Sequence, residues 1–253
     1  NGIPESPMAE KRQKMQVTQG DNSIDSKVGH GGFPALVVGI GAGAGALKSL
    51  KTILGGLPPG RGIAVILIHH PELTKKNVLK LLKDQTTLEV VEAADGMAVL
   101  ADRIYVVPPD KFLNIAQDRL TLKEPVHCDG LLMPIDHFFC SLAADRRKRC
   151  CGILLSGGGG DGTLGLSEIR AAGGRTIVED ARNAKFPDMP RHAIGEGVAD
   201  AVLPADAISV AIADLAGQMI AATRNEMAAS PEMDSGLKAI LDILRVGIGH
   251  DFR

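Results

Sequence analysis

The chain has 253 residues, 45% of them hydrophobic, a net charge of −2, no Trp and a single Tyr. That length and apolar content suffice for one large or two modest domains with a real core, and the near-neutral charge offers no bulk attraction to nucleic acid or a membrane surface. No apolar run reaches about 18 residues and no secretory signal is visible, so neither a transmembrane span nor export is expected.

Residues 1–33 are polar and lack apolar periodicity, which reads as a flexible leader, with residues 1–7 a remnant ahead of a start at Met8. From Phe33 onward short apolar runs alternate with amphipathic stretches: LVVGI then LKSLKTILGGL, IAVILIHH then NVLKLLKDQ, CGILLSG then LGLSEIRAAGG, followed by RTIVED and ADAVLP. β-Branched runs followed by helical patterns predict βαβ units, hence an α/β fold around a mostly parallel sheet. The VVEAADG, IYVVPP and NIAQDRLTLKEP segments suggest a strand-rich insertion or meander. Gly173-Gly174 should stop the helix that carries Ile169 and Ala172. Residues 206–227 form an apolar-periodic helix suited to capping the domain, and NEMAASPEMDSG then reads as a linker. LKAILDILRVGIGHDFR begins a further helix, the interrupted first element of a following domain. Cys128, Cys140, Cys150 and Cys151 form no CxxC pair and read as reduced, packed thiols of a cytosolic protein. The alternative, a zinc site on His127 and Cys128, lacks the usual ligand spacing.

Ligands of a parallel α/β sheet gather at the carboxyl ends of its strands. Three strand ends carry notable residues: the Gly41–Gly45 turn after VVGI, His69-His70 after IAVILI, and Ser156–Thr163 (SGGGGDGT) after GILL. Should these strands be neighbours, an imidazole and a carboxylate would converge on the first glycine turn. Nucleophilic acyl chemistry needs such a constellation: a base, a group that orients it, and a nucleophile on a turn beside N–H donors. Gly41-Ala42-Gly43-Ala44-Gly45 has the spacing of a nucleophile turn, but its centre, Gly43, has no side chain. Each piece also has a plainer reading. His70 then serves as a polar cap of its strand, Asp161 as a cap of the helix that begins near Thr163, and the glycines as a device for close packing. A dinucleotide cradle fits the same glycines. However, the next strand ends in His69-His70-Pro71 where a ribose-binding carboxylate belongs, and no GxxxxGK[ST] occurs.

Taken in order, IGAGAGALKSL, IAVILIHH, VVEAADGM, IYVVPPD, MPIDHFFCSLA, LLSGGGGDGTLGL, AAGGRTIVED and MPRHAIGEGVAD resemble the catalytic domain of the chemotaxis protein-glutamate methylesterases, the CheB family, over about residues 35–216. The resemblance implies a three-layer α/β/α sandwich with a doubly wound sheet over residues 34–227. It also implies hydrolysis of glutamate methyl esters, and deamidation of glutamine, on chemoreceptors, by a Ser–His–Asp triad with no metal or cofactor. By motif, the triad His falls on His70 and the triad Asp on Asp161. The serine of the family's GAS(A/T)GG turn falls on Gly43, and the turn's last glycine is replaced by Ala46. Ala42, Ala44, Gly158 and Met189 fall around the pocket and its oxyanion region, Gly158 where the family commonly carries a methionine or another side chain. Residues 1–33 cannot hold the family's receiver domain. Residues 228–253 resemble a linker and the opening helix of the receptor methyltransferases, the CheR family, so the parent looks like a methylesterase–methyltransferase fusion. Its expected partners are a methyl-accepting receptor and that downstream domain. The expectation is a cytoplasmic domain that keeps His70 and Asp161 but lacks the nucleophile, and so binds or regulates. The alternatives are a hydrolase that uses a His70-activated water, or Ser49, Ser156 or Thr163 as substitute nucleophile, and, behind these, a nucleotide-binding module. Ser49 is expected to point elsewhere, and Ser156 to bond the glycine turn.

Overall fold

A computed structural model of the chain describes residues 32–69, 78–125, 127–128 and 131–228, with only the backbone at His127, Cys128, Leu131, Met227 and Ala228. The leader, His70, the tail beyond 228 and the His127 and Cys128 side chains therefore lie outside the described residues.

The chain opens with β1 (Leu36–Ala42), α1 (Leu47–Gly55), β2 (Ile63–His69) and α2 (Val78–Lys83), then β3 (Glu89–Glu92) and β4 (Arg103–Val106). Two short hairpins follow, β5 (Phe112–Ala116) with β6 (Arg119–Lys123) and β7 (His127–Cys128) with β8 (Leu131–Leu132), leading into α3 (Pro134–Arg146). The remainder is β9 (Cys150–Leu154), α4 (Thr163–Ala171), β10 (Arg175–Glu179), α5 (Asp188–Gly195), β11 (Ala201–Leu203) and α6 (Ala205–Ala228). Seven strands form one parallel sheet in the order β11-β10-β9-β1-β2-β4-β3. The predicted α/β architecture is present, with one correction. VVE and IYV are not part of a meander but parallel strands of the main sheet, β3 at its edge and β4 between β3 and β2, with Arg103 in register with Glu89 on one side and Ala64 on the other. Only the third segment is antiparallel, as the β5-β6 hairpin. The misreading has a physical cause. No helix separates β3 from β4, because the connection folds onto the hairpin instead, with Gly96 N–H donating to Leu120 O and Leu120 N–H to Met97 O.

Each face of the sheet is covered by helices. On one face Leu50, Ile53 and Leu54 of α1 and Ile208, Ile212 and Ala216 of α6 are fully buried against Val38, Ile40, Val65 and Leu67. On the other face α3 presents Ile135, Phe138, Phe139 and Leu142, spaced i, i+3, i+4, i+7, to the outward side of β1 and β9. Burying each such side chain contributes about 1.5–3 kcal/mol, which dwarfs the propensity of these short helices. Helix α4 ends as the sequence predicts. Gly173 adopts φ +84°, its N–H donates to Arg170 O, and that of Gly174 donates to Ile169 O.

Helix α6 departs from one expectation. Its stretch Ala205–Glu226 contains an 18-residue window of mean hydropathy 1.4, long and apolar enough to cross a membrane by length and composition, and 22% of that window is buried. Asp206, Ser209, Asp214 and Gln218 break the stretch into short apolar runs. Its first half packs on α1, and residues 221–226 are exposed.

Candidate active site

The strand order decides which motifs can meet. β9, β1 and β2 are adjacent, so the Gly41–Gly45 turn lies between the end of β2, His69, and the loop 156–162 that follows β9. The chain leaves β1 toward β2 on one side and returns to β9 on the other. This is the topological switch point where open α/β sheets bind ligands. His69 is half-buried at the end of β2, and His70 follows it outside the described residues.

The two glycine turns are stitched together by backbone. Gly43 N–H donates to Ser156 O at 2.9 Å, and Leu155 N–H donates to Gly41 O at 2.9 Å. Ala42 is fully buried, and the Ala44 carbonyl accepts the Ser156 hydroxyl at 2.9 Å. Ser156 Oγ also receives the Phe186 N–H at 2.9 Å. Ser156, fully buried, is thus the structural tie expected from the sequence and is unavailable as a nucleophile. The fit at Gly43 is tight. A Cβ built there would lie 2.5 Å from the Gly157 Cα and 3.1 Å from the Ser156 O. Met189 holds Gly157 from the far side: its N–H donates to Gly157 O at 3.0 Å, and a Cβ at 157 would meet Met189 Cε at 2.6 Å. By contrast, a Cβ at Gly158 or Gly159 would meet nothing within 4 Å.

Asp161 does not cap the helix that follows it. Its carboxylate accepts the N–H groups of Asp136 at 2.9 Å and Ile135 at 3.1 Å, and so caps α3. Asp136 returns the arrangement, accepting Gly165 N–H of α4 at 2.7 Å. Each acid caps the helix opposite its own, which fits the close α3–α4 crossing, where a Cβ at Gly165 would lie 2.4 Å from Phe139 Cβ. Gly162 joins the two: at φ +94°, a Cβ there would strike Leu154 Cδ1 at 2.5 Å and Ile135 Cγ2 at 2.8 Å. Burial pushes the Asp161 carboxyl up to about 7, against the pull of the backbone N–H donors, and the nearby Asp136 charge adds to the rise. Asp136 is raised as well, by burial first. His70, the imidazole that the resemblance pairs with Asp161, lies outside the described residues.

Three further residues carry the site without a signal of their own in the sequence. Glu179, fully buried at the end of β10, accepts the Ser49 hydroxyl at 2.5 Å and the Ser156 N–H at 2.8 Å. Ser49 thus points away from the cleft, as expected, and its partner is this acid. Asp136 is visible in the sequence only inside MPID, and its role requires the helix crossing. His192 lies one turn beyond Met189 on α5. Its Nδ1 is 3.0 Å from Thr163 Oγ1, and its ring lies over Gly160, where a Cβ would be 3.2 Å from Cε1. The free thiols Cys150 and Cys151 are buried within β9, remote from this rim.

Comparison with known proteins bears on the geometry directly. The CheB methylesterase family profile matches residues 38–212. The chain is 32% identical over 186 residues to protein-glutamate methylesterase/protein-glutamine glutaminase 4 of Anaeromyxobacter dehalogenans, covering 72% of this chain and 52% of that protein. It is 36% identical over 166 residues to an uncharacterized 104.1 kDa protein in the hypE 3' region of Rhodobacter capsulatus, covering 63% of this chain and 17% of that one. The chain thus spans about half the length of the curated methylesterases it matches, and less of the larger protein. The crystal structure of the Thermotoga maritima CheB methylesterase catalytic domain superposes with a TM-score of 0.64 at 29% identity, covering 71% of this chain and 98% of that one. The profile match, the curated relatives and the shared fold agree: the chain belongs to the CheB methylesterase family.

Proposed function

We propose that this CheB-type domain binds methyl-accepting glutamate side chains of a chemoreceptor-like protein without efficient hydrolysis, His70 and Asp161 being kept while the nucleophile position holds Gly43. The observation that carries the reading is Gly43 itself, in a turn closed against Gly157. Loss of a triad nucleophile costs about 10⁶ in turnover, and what remains comes from binding and N–H donors. Ala42, Ala44, Gly158 and Met189 line the pocket in this reading, with no cofactor required. The tail that resembles a CheR opening helix, and the match to a fraction of a 104.1 kDa protein, support a methylesterase–methyltransferase fusion as the parent.

The test is ester hydrolysis on methylated receptor by the unmodified chain, Gly43→Ser and His70→Ala, with receptor binding measured in parallel. The expected result is receptor binding by the unmodified chain with methanol release no faster than from His70→Ala, and activity gained in Gly43→Ser together with a lower Tm, because the added side chain forces the turn off Gly157. His70-dependent turnover by the unmodified chain overturns the reading.

One observation favours a second reading, a working hydrolase: the Thr163 hydroxyl and His192 Nδ1 are within hydrogen-bond reach, as a nucleophile and its base must be. Against it, Thr163 is only 7% exposed at the base of α4. Esterase activity that survives His70→Ala and vanishes in both Thr163→Val and His192→Ala would select it.

A further inference from the structure

We propose that His192 sets the ligand preference of this cleft, favouring a glutamate carboxylate over its methyl ester. The inference rests on the binding role proposed above and specifies which form of the side chain is read.

Helix α5 lies along the loop 157–160 and presents two side chains to it, Met189 over Gly157 and His192 over Gly160. Between them Gly158 and Gly159 leave open space, since a Cβ at either position would find no atom within 4 Å. The N–H groups of Gly158, Gly159 and Gly160 have no acceptor among the described residues. His192 is exposed, Thr163 holds its Nδ1 side, and its Nε2 has no partner among the described residues. A cation flanks the other end of the cleft: Lys185 packs by its Cβ against Gly45, with its Nζ 5.7 Å from the centroid of the Phe186 ring. Of the nearby acids, Asp136 feels the His192 side chain electrostatically. Asp161 and Asp136 are turned into the helix ends, engaged by the N–H groups of Ile135, Asp136 and Gly165.

An esterase cleft must favour the neutral ester and release the charged product. Without a nucleophile that requirement is gone. A carboxylate beside an imidazole and unpartnered amides gains charge-assisted hydrogen bonds that an ester oxygen cannot match, and it needs no room for a methyl group. Glutamine, neutral and isosteric with the acid, separates charge from shape.

The experiment is calorimetric titration of the full chain with one receptor-derived helical peptide in three forms, carrying glutamate, its methyl ester or glutamine at the methyl-accepting position. The expected result is that the glutamate form binds about tenfold tighter than the other two, which corresponds to one charge-assisted hydrogen bond. His192→Ala should bring that ratio below about twofold, whereas His192→Lys, which again offers an N–H donor, should retain it. Equal or tighter binding of the ester by the unmodified chain overturns this inference alone, as does a preference that persists in His192→Ala. Failure of all three peptides to bind overturns the underlying reading, and this inference with it.

Discussion

The two glycine turns that meet between β1 and β9 are packed in opposite ways. The Gly41–Gly45 turn is closed: Gly43 is hydrogen-bonded to Ser156 and abuts Gly157, with no space for a Cβ. The loop after β9 is open at Gly158 and Gly159, yet it keeps Asp161 at its end, clamped onto α3. In the proposed reading, the contrast would explain how one member of a triad can vanish while another stays. A serine on the first turn would serve chemistry and support nothing around it. Asp161 also satisfies two N–H groups at a buried helix end, so its loss would weaken the fold whether or not the protein turns over.

That contrast can be tested by substitution, starting with the largest effect. Gly162→Ala combines a positive φ with collisions against Leu154 and Ile135 and should destabilise by about 3 kcal/mol, read as a lower urea midpoint at unchanged slope. Asp161→Ala should cost about 2–3 kcal/mol by leaving the α3 amides unpaired, and equal stability of this variant would undo the structural account of its retention. Gly43→Ala should cost about 1–2 kcal/mol through contact with the Gly157 Cα, while Gly158→Ala, which meets nothing, should stay within about 0.5 kcal/mol. Measured together, these two variants put a number on closed against open, and the reverse order would refute the distinction.

The pH dependence follows from the same carboxyl. Burial raises Asp161 from an ordinary value of 3.8 to about 7 in the folded protein. The folded state therefore holds this proton where the unfolded chain has lost it. Stability from this group is full below about pH 4 and is lost as pH rises through about 7. Asp161→Asn should flatten that fall when urea midpoints are compared between pH 5 and pH 8. A fall of the same size in Asp161→Asn would show that the slope belongs to another group.

Consecutive residues alone were enough to establish the α/β class, the helix stop at Gly173, the structural tie at Ser156 and the three motifs that belong at strand ends. These are local properties: β-branched runs, glycine punctuation and side-chain spacing are written in short stretches of chain. The family resemblance, resting on motifs in order, was equally legible, and the profile and structural matches bear it out. The rest had to wait for packing. The adjacency of β9, β1 and β2, the parallel pairing of β3 with β4, and the exchange of caps between Asp161 and Asp136 join residues from 14 positions apart, Glu89 and Arg103, to 113 apart, Val37 and Cys150. The same holds for the meeting of Ser49 with Glu179 and of Thr163 with His192. Local pattern says which side chains an element can offer. Which backbone closes on Gly43, and which helix end claims Asp161, depends on how sheets and helices pack, because close approach and buried hydrogen bonds exist only once both partners are in place.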